Sequence, residues 1–301
     1  MAGVPAYNPN NRGDMKPGAV RNRAVTDNYE PGSTLKPFTI AAALETGRYT
    51  PDTVLQTAPG TLTIGRATIH DAEKSGDLTV SQIIQKSSNV GASKIALSLA
   101  PKTMWTMLHD SGFGTVPDSG FPGEASGRLR PFENWRPIEQ ATISFGNGVS
   151  VSLLQLARAY TIFADKGVLQ PVTFLKRNAP PQGRRVISER TAEEMKKMLE
   201  MVVQAGGTAP AAQVVGYTVA GKTGTAHKVE GNGYSAHRYI ASFVGFAPAT
   251  NPRLVVAVRV DEPSGGRYYG GEVAAPVFSR VMGGALQILD VPSDFPQKVG
   301  L

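Results

Sequence analysis

Apolar residues recur at helical spacing through the first two thirds of the chain and at strand spacing after Gly206-Gly207. Residues 1–32 repeat Asn, Pro and Gly without an apolar period and read as coil, with 1–30 an irregular lead-in to one domain over 1–301. Ser33 to Thr46 is rich in Leu, Ile, Phe and Ala. It predicts a helix that stops at Gly47, with Pro37 near its first turn, where a missing N–H costs least. Thr50 to Gly76 reads as short strands and turns. Leu78–Lys86 and Val90–Leu99 predict a helical stretch broken at Ser87-Ser88-Asn89. Met104, Met107 and Leu108 share a face of a helix ending at Gly112, and 113–136 reads as loop.

Ser152–Lys166 is amphipathic and closes at Gly167. Thr191-Ala192-Glu193-Glu194 reads as a capping box opening a helix that carries Met195, Met198, Leu199 and Val202. Tyr217–Lys228, Tyr239–Ala247 and Arg253–Asp261 then read as strands, joined by turns around Glu230–Gly233 and Pro248–Pro252. Gly270-Gly271 precedes a last helix, Val273–Leu289. Helices, then antiparallel strands, then a closing helix predict an α+β fold without βαβ alternation.

Composition narrows the chemistry. With 301 residues and 41% of them hydrophobic, the chain can bury a core. It has no cysteine, which removes disulfides, thiol nucleophiles and Cys-based metal sites. His70, His109, His227 and His237 show no metal-ligand spacing, so neither a metal nor another cofactor is expected. The net charge of +7 is diffuse, with no basic cluster and no aromatic-interleaved basic ladder, and nucleic acid is not an expected partner. No run approaches the 18 or so apolar residues of a membrane span.

Three short motifs stand in order: Ser33-Thr34-Leu35-Lys36 (S-x-x-K), Ser87-Ser88-Asn89 (S-x-N) and Lys222-Thr223-Gly224 (K-T-G). Shuffling this composition would produce the ordered triple about once in a hundred trials. The set is the signature of serine β-lactamases and penicillin-binding proteins. Ser33 falls at a predicted helix start, where backbone N–H groups favour developing negative charge. Lys36 lies one turn on, so its amine can reach the Ser33 hydroxyl. Burial or a nearby cation would hold it neutral enough to take the serine proton. Gly224, on or opening a strand, is expected to leave room for a substrate backbone to pair alongside.

Beyond the motifs, roughly residues 5–295 resemble the transpeptidase domain of class B penicillin-binding proteins of the division-specific (penicillin-binding protein 3) type. The resemblance rests on Tyr29-Glu30-Pro31-Gly32-Ser33-Thr34-Leu35-Lys36-Pro37-Phe38, Gln85–Gly91, Ser144-Phe145-Gly146-Asn147-Gly148, Lys222–Ala226 and Tyr268-Tyr269-Gly270-Gly271. It implies the penicillin-binding protein/serine β-lactamase-like fold, an antiparallel sheet flanked by helices with a helical lobe. It implies Ser33 as acylated nucleophile, Lys36 as base, Ser87 as proton relay, Asn89 as holder of the donor's acyl side chain, and Lys222 as a charge keeping Lys36 neutral. Thr223 and Thr225 would hold the substrate carboxylate, Gly224 would line the site, and at least one of Tyr268 and Tyr269 would line the cleft. The Ser33 and Thr225 amides would form the oxyanion hole.

The implied partners are a D-Ala-D-Ala stem peptide, an amine acceptor, β-lactams and division proteins including a membrane glycosyltransferase. The implied place is the periplasmic face of the inner membrane, with the anchor absent from this chain. Asn147 stands where many relatives carry Tyr. Relatives also precede this region with an anchor, a pedestal domain and a strand hairpin, so a truncated domain whose sheet lacks one or two N-terminal strands is expected. Asn89, against the Ser-x-Asp of elongation-type relatives, favours division. The alternatives are a serine β-lactamase, a D,D-carboxypeptidase, a β-lactam sensor or an inactive fragment. Against the first, Glu133 and Glu139 lie outside the class A loop pattern, and the second motif is Ser-Ser-Asn rather than Ser-Asp-Asn.

Overall fold

A computed structural model describes residues 1–11, 13, 15, 16, 18–179, 182–231 and 233–295. Arg12, Asp14 and Pro17 of the lead-in, Asn232 of the expected hairpin turn and residues 296–301 of the expected domain lie outside the described residues.

One helix organises the molecule. A 3-10 turn over Gly32–Leu35 leads into α2 (Lys36–Glu45), after the single-turn α1 (Arg23–Thr26) in the lead-in. Every residue from Lys36 to Leu44 is buried, as its all-round apolar sequence requires. Phe38 packs among Phe113, Tyr160 and Phe163 at centroid distances of 5.1, 5.7 and 5.0 Å, a cluster whose edge-to-face pairs add to simple area burial. The residue pattern predicts one helix from Ser33. The structure splits it, placing Ser33 in the tighter turn and Lys36 at the first α-helical position.

Around α2 stand α3 (Val80–Lys86), α4 (Asn89–Ser98) and α5 (Pro101–Asp110), and α6 (Pro137–Ile143), not anticipated, packs on α4. The region before α3 forms two small antiparallel pairs, β1 (Val54–Gln56) with β4 (Asp77–Thr79) and β2 (Thr61–Ile64) with β3 (Ala67–His70). After α7 (Leu153–Ala164), β5 (Val168–Leu169) pairs with β6 (Arg184–Arg185). The next helix, α8 (Glu189–Met201), begins two residues before the expected capping box at Thr191. Its cap is Ser188, whose hydroxyl accepts from the Thr191 amide at 3.1 Å.

The main sheet is antiparallel and ordered β7 (Ala220–Glu230), β8 (Gly233–Ala247), β9 (Leu254–Asp261). Lys222 pairs with Val244 and Thr225 with Ala241, and the register shifts between His227 and Val229. The first strand starts at Ala220 rather than Tyr217, which makes only an isolated bridge to Val214. α7, α8 and α10 (Ala275–Ile288) pack on the sheet, with Phe243 against Phe278 at 4.7 Å. Gly270 and Gly271 precede the last helix as expected, and they also open a short separate α9 (Gly270–Val273) ahead of it, so that α10 starts at Ala275 rather than Val273. No helix among the described residues is long and apolar enough to cross a membrane.

Candidate active site

Each of the three motifs reaches the site by a different local device. Ser33 is placed by the 3-10 turn, half-buried, with Gly32 at φ +58 behind it. Ser87 closes α3 in the left-handed region (φ 61, ψ 38), a conformation unusual for serine, and Ser88 at once caps α4. The helix break expected from sequence is therefore a sharp bend, and it turns both Ser87 oxygens toward Lys36. Lys222 comes from β7 and is fully buried, as is Lys36.

Lys36 Nζ lies 2.9 Å from Ser33 Oγ, 3.1 Å from Ser87 Oγ, 2.5 Å from the Ser87 carbonyl and 2.8 Å from Asn89 Oδ1. Asn89 Nδ2 donates to the His70 carbonyl at 2.9 Å, which leaves its oxygen facing the lysine. Two of the four neighbours, the Ser87 carbonyl and Asn89 Oδ1, can only accept. A neutral amine has two N–H donors for them and one lone pair left, aimed where the Ser33 hydroxyl can donate. Burial and the positive charge of Lys222 hold Lys36 well below the ordinary lysine value, with the Asp71 carboxylate acting the other way. Lys222 Nζ sits 3.0 Å from Ser87 Oγ and 3.1 Å from Thr223 Oγ1, and burial lowers it to about 7. Ser87 Oγ thus bridges two buried amines. The set can deprotonate a serine and pass a proton onward.

In the third motif, Gly224 lies against the nucleophile turn. A methyl group there would meet Pro31 O at 2.7 Å and Thr34 Cγ2 at 3.0 Å, and would come closer still to Ser242 Oγ. That face is filled by the chain's own nucleophile turn and by β8, so the missing side chain lets the Ser33 turn seat on the strand. Thr223 is buried, its hydroxyl bonded to Thr208 Oγ1 at 2.9 Å as well as to Lys222. Thr225 is half-buried and its Oγ1 accepts from the Gly270 amide at 3.0 Å, which ties the segment after Tyr268-Tyr269 to the third motif. Tyr269 is exposed and Tyr268 half-buried. Tyr268 stacks on Tyr239 at 4.1 Å, and Tyr239 meets His227 at 4.6 Å.

Several contributors were assigned no role from the sequence. Gly146 stacks on the Gly32 backbone. Tyr160 donates to the Thr34 carbonyl at 2.8 Å. Glu30 accepts from the Gly148 amide at 2.8 Å and from Tyr234 at 3.2 Å, joining the Asn147 loop to the β7–β8 hairpin, and burial raises its pKa. Asp71 holds the second motif. Glu139, one of two acids weighed against a β-lactamase, is bound to Arg130 at 2.6 Å and Arg136 at 3.2 Å at the start of α6. Among the described residues no group of three or more His, Asp or Glu is placed to hold a metal ion.

The family model described as the penicillin binding protein transpeptidase domain matches residues 1–283. The chain belongs to this family. It is 49% identical over 296 residues to a protein named probable peptidoglycan D,D-transpeptidase PenA of Neisseria flavescens, covering 98% of this chain and 74% of that one. It is 40% identical over 294 residues to peptidoglycan D,D-transpeptidase FtsI of Escherichia coli K12, covering 98% and 50%. The chain therefore spans about half the length of the latter. A solved apo transpeptidase domain of Burkholderia pseudomallei penicillin-binding protein 3 superposes with a TM-score of 0.88 at 54% identity, over 92% of this chain and 84% of that one. The transpeptidase-domain fold expected from the motifs is the fold observed.

Proposed function

We propose that this chain is the catalytic domain of a peptidoglycan D,D-transpeptidase acting in septal wall synthesis, working through a Ser33 acyl-enzyme. The carrying observation is the meeting of Lys36 Nζ with Ser33 Oγ, Ser87 Oγ and Asn89 Oδ1, while Lys222 Nζ reaches the same Ser87 hydroxyl.

Neutral Lys36 takes the Ser33 proton as Oγ attacks the carbonyl between the two terminal D-Ala residues of a stem peptide. The amides of Ser33 and Thr225 stabilise the oxyanion, commonly a large catalytic contribution. Gly32 backs onto Thr225, its would-be Cβ 3.5 Å from the Thr225 nitrogen, which brings the two amides into one neighbourhood. Breaking the C–N bond releases D-Ala, whose nitrogen receives the proton from Lys36 through Ser87, with Lys222 electrostatically supporting that transfer. An amine of a second stem then attacks the ester, restoring Ser33 and forming the cross-link. Asn89 holds the donor's acyl side chain, Thr225 and Thr223 its carboxylate, and Tyr268 and Tyr269 the side of the cleft. β-Lactams inhibit by acylating Ser33. The reading extends to one domain over 1–301 with 1–30 as lead-in, to the periplasmic face of the inner membrane, and to division proteins including a membrane glycosyltransferase as partners.

Incubation with a fluorescent penicillin and intact-mass spectrometry, beside Ser33→Ala, tests this. A persistent adduct on the wild-type chain alone is expected. Rapid turnover without accumulation would make the chain a β-lactamase, and no adduct at all would overturn the assignment.

A further inference from the structure

The second motif is held from behind by the end of the β2–β3 hairpin. Asp71 directly follows β3 and is anchored there by its own amide, which donates to the Gly60 carbonyl at 2.9 Å. Its Oδ1 accepts from the amides of Asn89 at 2.5 Å and Val90 at 2.9 Å, and its Oδ2 from Ser88 Oγ at 2.7 Å. Ser88 Oγ in turn accepts from the Gly91 amide at 2.9 Å. The first three N–H groups of α4, which no helix can satisfy from within, are all met by this pair. The neighbouring His70 carbonyl takes the Asn89 side-chain amide. Two consecutive hairpin residues thus fix both the backbone and the side chain of Asn89, whose oxygen touches Lys36.

The electrostatics run through the same residue. Lys36 and Lys222 are both buried, and the remaining Lys36 neighbours, Ser33, Ser87 and Asn89, are neutral. The charged groups acting on Lys36 are Lys222 from β7 and Asp71 from the hairpin. Because Lys36 is fully buried, a carboxylate one hydrogen-bonded residue away is close enough to matter to it.

We propose that Asp71 is a positioning residue for acyl transfer: it holds the Ser87–Asn89 bend in register with Lys36 and supplies the negative charge that opposes Lys222 at the Lys36 amine. This rests on the acyl-enzyme reading above. The test is the second-order rate of acylation by a chromogenic cephalosporin, measured against pH for the wild type, Asp71→Asn and Ser88→Ala, with a melting curve for each. Asp71→Asn removes the charge at nearly constant shape. Without that charge the protonated form of Lys36 is less favoured, so the acid limb of the profile moves to lower pH, by about one unit. Ser88→Ala keeps the charge but breaks the hydroxyl link. It should slow acylation by about tenfold and leave the midpoint in place.

An unmoved midpoint in folded Asp71→Asn, or an equal shift in Ser88→Ala, overturns the electrostatic role. Wild-type rates in Ser88→Ala overturn the positioning role, even if Asp71→Asn does not fold. A wild-type chain that takes no acyl group overturns the parent reading and this one with it. A labelled wild type whose variants behave like it overturns this one alone.

Discussion

Replacing Gly146 by alanine pushes a methyl group into the backbone that carries the nucleophile. Gly146 has φ +90, and the added carbon would stand 2.5 Å from the Gly32 nitrogen, 2.7 Å from its carbonyl carbon and closer still to its carbonyl oxygen. Gly32 has little room to retreat, because a methyl group built on it would itself stand 3.2 Å from the Thr225 carbonyl oxygen. The left-handed backbone alone costs an alanine roughly 1–2 kcal/mol. Overpacking a rigid neighbour adds roughly 1–3 kcal/mol. Melting should therefore fall by about 10 °C. Because the displaced atoms are the Ser33 turn, acylation by a fluorescent penicillin should slow by about a hundredfold, the scale expected for misplacing a reacting group by 1 Å. Gly148→Ala is the internal control. Its φ is +81, but the nearest atom to the new methyl is Ile143 Cγ1 at 3.9 Å, an ordinary contact. It carries the backbone strain without the collision, so it should melt a few degrees low and acylate normally. If Gly146→Ala matched Gly148→Ala in both melting temperature and acylation rate, the stacking of this loop on the nucleophile turn would be refuted.

Lys222→Gln removes a positive charge that disfavours protonation of Lys36, so the acid limb of the acylation rate should move to higher pH, the opposite sense to Asp71→Asn; an unmoved limb would show the two amines uncoupled. Tyr160→Phe deletes the buried donor to the Thr34 carbonyl and should lower stability by about 1–3 kcal/mol, read as a drop in the denaturation midpoint by calorimetry. Glu139 is held at about 2 by the Arg136 amide and the Arg130 side chain, against an ordinary 4.5. Its folded value is depressed, so its stabilisation is present above about pH 4.5 and is lost as pH falls toward 2. Glu139→Gln should therefore be less stable at pH 7 than the wild type and nearly equal to it near pH 2, as measured by urea midpoints. An equal deficit at both would count against the ion pairs.

What could be read from the chain alone was what a few consecutive residues decide. Ser33 and Lys36 are three apart, so any helical turn brings the amine to the hydroxyl, and the 3-10 turn changes the detail without changing the contact. The three long strands announce themselves by apolar pattern and flanking turns. Where two local patterns compete, tertiary contacts choose. Ser188 and Thr191 can both open α8, and Ser188 prevails because Glu45, from the distant α2, accepts its amide at 3.1 Å and its hydroxyl at 2.6 Å. α6 is seven residues long, follows a Pro- and Gly-rich loop, and is secured by Glu139 binding Arg130 and Arg136, so local propensity alone gives little warning of it.

The same limit governs the site. Gly224 is a single letter in a strand, and only the fold shows that Pro31 and Ser242 lie where its side chain would stand. Lys36 meets Ser87 across 51 residues and Lys222 meets it across 135, separations that no spacing rule encodes. The motif letters reveal these partners because the letters themselves are distinctive. Asp71 has no such letters around it. It lies in a short strand-and-turn segment, and it gains its place in the chemistry only when the hairpin sets one carboxylate against the start of α4. A motif can name the groups that exchange protons. The charge that sets how readily Lys36 gives one up comes from outside the motifs, and so a change at Asp71 should move the pH profile without touching a reacting atom.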